Sequence, residues 1–302
     1  MLAVDIGGTK ISAALVAADG SLDRRREIAT PADADAEELC AGVLGLLDDV
    51  CGPASPEAVG VGCGGPMQWP QGVVSPLNIP AWRAFPLADR LRAHFRDAPV
   101  AVHNDAVAMA LGEYLYGAGR RTRSFLGVVV STGVGGGLVL DGEVVSGPTG
   151  NAGHIGHVVV DVDGPTCGCG GRGCLEAIAR GPAVVAWARE QGWKPTDPAA
   201  VIDGRSLVSS ARSGDALAIA ALTRAGRALG VALASVAATL DLDAVAVGGG
   251  LVNAGDLLLG PARAAFDRHA RLDFTRRCHI VASELRGDAG LLGAAALARR
   301  AT

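Results

Sequence analysis

The chain of 302 residues has little charge of either sign, and no block of it. Only 19% of the residues are Asp, Glu, Lys or Arg, and the formal net charge is −4. An acidic chain without a basic stripe argues against nucleic acid as a partner. The one basic run, Arg24-Arg25-Arg26, is followed at once by Glu27 and reads as a solvated strand edge. No apolar run of membrane-spanning length is evident, and Leu2-Ala3-Val4 leads directly into the charged Asp5, unlike a secretory leader. The expectation is a cytoplasmic protein with no membrane partner. Two phosphate-binding signatures are missing as well. There is no Gly-x4-Gly-Lys-Ser/Thr loop, and a dinucleotide fingerprint starting at Gly133 would need glycine where Leu138 stands. The seven cysteines are odd in number, and three of them fall within eight positions, which fits a reducing compartment better than a disulfide framework.

The chain repeats a different signature in their place. Leu2-Ala3-Val4 reads as a short strand, Asp5-Ile6-Gly7-Gly8-Thr9-Lys10 as a glycine turn, and Ile11 to Val16 as a second strand ending near Asp19-Gly20. The same order returns as the strand Phe125 to Val130, the turn Ser131-Thr132-Gly133-Val134-Gly135-Gly136-Gly137, and the strand Leu138 to Leu140, closed by Asp141-Gly142. With 49% hydrophobic residues and length for two cores, the duplication suggests two α/β domains facing each other across a cleft. Either turn alone could be a tight hairpin with no ligand. As a pair they suit phosphate, because successive backbone N–H groups make an anion nest and Thr9 and Thr132 add hydroxyls. A third cluster, Gly248-Gly249-Gly250, follows the strand Ala244 to Val247. It reads equally as a ligand loop at a strand's carboxyl end or as a plain turn.

His157, Cys167, Cys169 and Cys174 have the spacing of a tetrahedral zinc shell. Four protein ligands leave no position open for water, so the site would be structural. A disulfide or buried free cysteines are the alternative. Gly153, Gly156 and Glu176 flank the shell without ligating it, so something besides the metal is being positioned there.

His103-Asn104-Asp105-Ala106 lies between the strand Val100 to Val102 and the helical run Val107 to Tyr116. Asn104 or Asp105 can cap that helix. A carboxylate at this junction is also placed to accept a hydroxyl proton, and a helix N-terminus would keep it ionised. Ala36 to Val50 and Ala216 to Leu240 have the apolar spacing of packing helices, and Pro182 to Arg189 is another helix. Gln191 to Asp203 reads as loop. Met67, Trp69 and Trp82 sit in the Pro-rich stretch 64–86, either a loop-rich insertion at the cleft mouth or a cover for the first core.

Together these residues resemble the ROK family of bacterial sugar kinases, repressors and related proteins, within the actin, hexokinase and Hsp70 superfamily. The resemblance runs from Asp5-Ile6-Gly7-Gly8-Thr9-Lys10 to Asp288-Ala289-Gly290-Leu291-Leu292-Gly293-Ala294. It implies two ribonuclease-H-like domains, residues 1–115 plus 288–302 and residues 116–287, the second carrying the zinc loop. ATP and Mg2+ are then expected at Asp5, Gly7, Gly8, Thr9, Lys10, Thr132, Gly133, Gly248, Gly249 and Gly250, with structural Zn2+ on His157, Cys167, Cys169 and Cys174. Asp105 is implied as the base for a hexose C6 hydroxyl, glucose being the first expectation and N-acetylmannosamine or another 2-acetamido hexose the alternative. Family sugar contacts fall on Gly65, Asn78, Asn104, Asp105, His157 and Glu176, and a homodimer is implied. Four departures stand out: Gly64 for proline or alanine, Leu77 for the proline before Asn78, Val107 for the second asparagine of Asn-Asp-Ala-Asn, and His154 for the glutamate of Glu-x-Gly-His. That glutamate binds the sugar near C1 and C2, so His154 is the expected point of altered recognition. Ala-Gly-His-Ile-Gly-His around it resembles some bacterial N-acetylmannosamine kinases. The family's repressors carry a helix-turn-helix domain, for which a first strand at Leu2 leaves no room. A sugar-binding relic without activity is the other non-enzyme expectation.

Overall fold

The computed structural model describes residues 1–197 and 199–301. Pro198, inside the expected loop 191–203, and Thr302, at the end of the expected first domain, lie outside them. The chain divides into two compact units. One takes in Met1–Arg120, Gly137–Gly153 and the chain from Leu285 onward, the other Arg121–Gly136 and His154–Glu284.

In chain order the elements are β1 (Leu2–Ile6), β2 (Lys10–Val16), β3 (Leu22–Ala29), α1 (Ala36–Cys51), β4 (Val59–Cys63), β5 (Met67–Gln68), β6 (Val73–Val74), α2 (Leu87–His94), β7 (Val100–Asn104) and α3 (Asp105–Tyr116). There follow β8 (Ser124–Val130), β9 (Val134–Leu140), β10 (Glu143–Val145), α4 (Leu175–Ala179), α5 (Gly181–Glu190), α6 (Gly204–Arg212), α7 (Ala216–Leu240), β11 (Ala244–Gly248), α8 (Asp256–His269), β12 (His279–Ala282) and α9 (Ala289–Ala301). The two five-stranded sheets run β3-β2-β1-β4-β7 and β10-β9-β8-β11-β12. The plan is written twice: a meander on one side, parallel strands on the other. The duplication is the one expected from the repeated hairpin, and the ribonuclease-H-like form is the one the resemblance implies.

Period-2 alternation in β1 decides which way each side chain points. Leu2, Val4 and Ile6 enter a core with Leu39, Val43 and Leu47 of α1 and Val59 and Val61 of β4. Ala3, on the opposite face, packs with Ala14, Ala108 of α3 and Leu291, Ala294 and Ala295 of α9. Asp5 belongs to that second face, where small residues let the helices come close. Helix α1 starts from a capping box: the Asp35 carboxylate accepts from Glu37 and Glu38 N–H at 2.9 Å, and Glu38 Oε2 accepts back from Asp35 N–H at 3.1 Å.

Two readings of the sequence are corrected. The second glycine stretch is mostly strand: β9 begins at Val134 and takes in Gly135 to Gly137, leaving Ser131 to Gly133 as the turn. Gly137 serves packing there, since a Cβ on it would come 2.5 Å from Val107 Cα. Helix α3 begins at Asp105 itself, capped by Asn104. The stretch 64–86 is loop-rich, as expected, and of its two expected roles the cover of the first core is the one seen, Trp82 being fully buried and stacked on Phe85 with ring centroids 4.8 Å apart.

Helix α7 is, contrary to the sequence reading, long and apolar enough to cross a membrane by length and composition. One face of it is core: Ala221, Leu222, Ala225, Leu229 and Leu233 are buried, and Gly226 and Gly230 let the backbone of α8 approach closely.

Candidate active site

In the first unit the candidate residues gather at the carboxyl ends of β1, β4 and β7. The register sets Asp5 beside Gly62 and Gly62 beside His103, one row on one face of the sheet. Asp105 follows one residue after β7. A Cβ on Gly62 would lie 3.4 Å from Asp105 Cα and 3.5 Å from Asp5 Oδ1, so this glycine is the space between the two acids. At the start of α9 a Cβ on Gly290 would come 2.5 Å from Asp5 Oδ2. A side chain at Gly290 would displace the carboxylate, whereas at Gly62 the tightest neighbour would be Ala108 Cβ, at 3.2 Å. Asn78 closes the group: a Cβ on Gly8 would meet it at 2.7 Å, and one on Gly64 would come 3.2 Å from its Oδ1. That contact gives a reason for glycine at position 64. Gly65 stands next to it, and Gly65-Pro66 is a cis peptide. Of the other departures, Val107 is a core side chain, 1% exposed, whereas Leu77 is exposed.

Two carboxylates close together in a partly dry site do not ionise independently. Burial, and then the charge of Asp105, raise the Asp5 carboxyl from 3.8 to about 7, with Lys10 opposing. The folded value lies above the unfolded one, so ionising Asp5 costs stability as pH rises from about 4 to about 7 in the ligand-free protein. A cation between these oxygens would remove the cost. Asn104 and Asp105 share one donor, the Ala106 N–H, at 3.0 and 2.8 Å from their Oδ1 atoms. One Asp105 oxygen is thus oriented by the helix start.

The first glycine turn is a tight hairpin. Gly7 N–H donates to Lys10 O at 3.0 Å, and Thr30 Oγ1 donates to Gly7 O at 2.7 Å. Thr9 and Lys10 are exposed, and Lys10 Nζ lies 2.9 Å from Glu27 Oε2.

In the second unit, Val134 organises the remainder. Its N–H donates to Glu176 Oε2 at 2.9 Å. A Cβ on Gly156 would clash with its carbonyl. The turn carrying His154 and His157 and the first turn of α4 therefore both rest on the start of β9. His154 and His157 have nearly parallel rings, with centroids 6.3 Å apart and planes 12° from each other. Thr132 is exposed at the neighbouring turn. Gly181 N–H holds Ser131 O at 2.7 Å. Gly248 ends β11, and Gly249 passes against the backbone of Val130.

His157, Cys167, Cys169 and Cys174 bring their ligand atoms within 4.8 Å of one another. A zinc tetrahedron with Zn–S bonds of about 2.3 Å has S···S edges of roughly 3.8 Å. Cys169 and Cys174 are 3.8 Å apart, and Cys167 Sγ is 3.8 Å from His157 Nδ1, so the residues fit the ion. Gly171 N–H, 3.4 Å from Cys169 Sγ, holds that thiol below its usual range. Nδ1 is the ring atom facing the thiols, which leaves His157 Nε2 on the other side. There is no disulfide among the described residues.

The sequence reading passed over Gly62, the Val134–Glu176 bond and the surroundings of His103. Gly62 carried a signal in the alternation of β4; the other two depend on partners 42 and 43 residues distant and had none.

The family model described as the ROK family matches residues 1–301. The glucokinase of Thermotoga maritima is 35% identical over 98% of this chain and 96% of its own. An N-acetylmannosamine kinase of Escherichia coli O139:H28 is 37% identical over 99% of this chain and 98% of its own. The crystal structure of a ROK family glucokinase from Streptomyces griseus in complex with glucose and AMPPNP superposes with a TM-score of 0.87 at 34% identity, covering 99% of each chain.

The metal cluster gives the first prediction. Purified protein carries one zinc per chain, and stripping it lowers the melting temperature and weakens sugar binding together, because the shell braces both the His157 turn and the start of α4. Elemental analysis with calorimetry checks this; metal-free protein with unchanged melting and sugar affinity would refute it.

Proposed function

The chain belongs to the ROK family, and on that premise we propose that it transfers the γ-phosphoryl group of ATP to the C6 hydroxyl of a hexose, glucose being the first choice. The observation that carries this is the pairing of Asp5 and Asp105 around Gly62 at the strand ends. One acid is oriented by a helix start, as a base needs. The other is held protonated near neutrality unless a cation is present, as suits a group that meets Mg2+ with the nucleotide.

In this reading Asp105 accepts the proton of the C6 hydroxyl as the oxygen attacks, and the proton leaves late, so an ionised carboxylate of ordinary basicity suffices. Family resemblance assigns Gly65, Asn78, Asn104, His157 and Glu176 to the sugar, and Gly7, Gly8, Thr9, Lys10, Thr132, Gly133 and Gly248 to Gly250 to the nucleotide phosphates. Zinc, when bound, supplies rigidity and no chemistry: with Nδ1 on the metal, His157 keeps Nε2 for a sugar hydroxyl. Catalysis is then positioning and charge stabilisation. Family membership further supports a cytoplasmic homodimer acting on small molecules, and the acidic chain without a basic stripe argues against nucleic acid as a partner.

One observation favours a second reading of the sugar. His154 stands where the family pattern has glutamate, its ring packed parallel to that of the zinc ligand His157. A carboxylate accepts from two vicinal hydroxyls, whereas a neutral imidazole offers one donor and one acceptor. A 2-acetamido hexose matches that donor and acceptor better than glucose does.

Asp105→Asn should lower kcat by about 10² to 10⁴ with little change in sugar binding, the range for a lost general base. Coupled ADP-release kinetics measure it, and a variant with near wild-type turnover would reduce Asp105 to a helix-start residue. On the sugar, His154→Glu should raise kcat/KM for glucose relative to 2-acetamido hexoses by about 10-fold, one hydrogen bond being worth about 1 to 2 kcal/mol. An unchanged ratio on both sugars would remove His154 from recognition.

A further inference from the structure

His103 is 4% exposed and is used by nothing so far described. Both its ring nitrogens are engaged. Nδ1 accepts the backbone N–H of Asn104 at 2.8 Å, and Nε2 lies 2.9 Å from Ser146 Oγ. Because Nδ1 accepts, the ring is neutral with its proton on Nε2, and Nε2–H donates to the serine. Protonating Nδ1 would set two donors against each other. Burial agrees, lowering the imidazole from 6.5 to about 4. The ring is fenced by Trp69, with centroids 5.8 Å apart. Ser146 in turn opens a closed loop. Ala152 N–H donates to Ser146 O at 3.0 Å, and Asn151 Nδ2 donates to Thr149 O at 2.9 Å and Met67 O at 3.1 Å. The imidazole thus ties the last residue of β7 to the loop 146–152 and, through that loop, to β5.

The Asn104 amide is the last before the chain turns from strand into helix, and the residue after it is Asp105. We propose that His103 is a positioning residue for Asp105: its Nδ1, by holding the Asn104 N–H, sets the strand-to-helix corner from which Asp105 projects, and the Ser146 bond fixes the ring that does so. The role acts through the backbone and needs no contact with substrate. It rests on the reading of Asp105 as the base.

Two variants separate the halves of the ring. His103→Asn puts an amide oxygen where Nδ1 stands and keeps the acceptor for Asn104. His103→Gln puts an amide nitrogen where Nε2 stands and keeps only the donor to Ser146. His103→Asn should hold kcat within about 3-fold of wild type, whereas His103→Gln should lose about 10-fold, with KM for sugar and ATP nearly unchanged in both. Equal losses in the two variants, a loss confined to KM, or wild-type kcat in His103→Gln would overturn the proposal. Ring 15N–1H correlation spectra of the wild-type protein give a second readout that does not depend on activity or on the variants folding. The Nε2–H tautomer should persist from pH 5 to pH 8; an Nδ1–H tautomer or a charged ring in that range would also overturn it. Wild-type protein that phosphorylates no hexose would defeat the kinase reading, and the tautomer would then decide the bond to Asn104 by itself.

Discussion

The burial of the Asp5 carboxyl beside a second acid, Asp105, is the constraint around which the first unit is arranged. Bringing two carboxylates to opposite sides of Gly62 costs free energy in an apo site, because burial and like charge both oppose ionisation. The fold offsets this with rigid packing. Large aliphatic residues fill the α1 face of the sheet, whereas Ala3, Ala14 and Ala108 on the other face let α3 and α9 sit close enough to fix both acids. Glycine at 290 is needed because a Cβ there would take the space of the Asp5 carboxylate, and glycine at 62 leaves room for Ala108 of α3. A site of this kind is poised for a cation, and the proposed substrate, a magnesium-bound nucleotide, delivers one.

The second unit solves a different problem with the same economy of contacts. Val134 is bound through its N–H to Glu176 and pressed at its carbonyl by Gly156, so one residue at the start of β9 registers the zinc loop, the paired histidines and the glycine turn against each other. A structural metal in such a place keeps short, weakly helical pieces in position: α4 has five residues and the His157 turn three, too few to hold themselves.

How much of this the sequence discloses follows from the range of each interaction. The cluster of His157, Cys167, Cys169 and Cys174 was legible because the four residues fall within 18 positions at a spacing that suits a metal. The doubled fold was legible in its repeated hairpin, and Asp105 in its place between a strand and a helical run. Gly135 to Gly137 misled because glycine signals a turn locally, whereas these residues are strand and Gly137 is used for the close approach of α3, a tertiary fact. Asn104 as the cap and Asp105 as the first helical residue could not be separated, since both side chains accept the same N–H. The His103–Ser146 link left no trace, because neither residue has a patterned neighbourhood that points to the other across 43 positions.

The coupling of the two acids can be measured directly by following the Asp5 carboxyl carbon through a pH titration of ligand-free protein by NMR. The account predicts an apparent pKa of about 7. In Asp105→Asn the value should fall but stay above 3.8, since burial is the larger cause. Adding magnesium and a non-hydrolysable ATP analogue should lower it further. An Asp5 that titrates near 3.8 in the ligand-free protein, and is indifferent to both changes, would contradict the account.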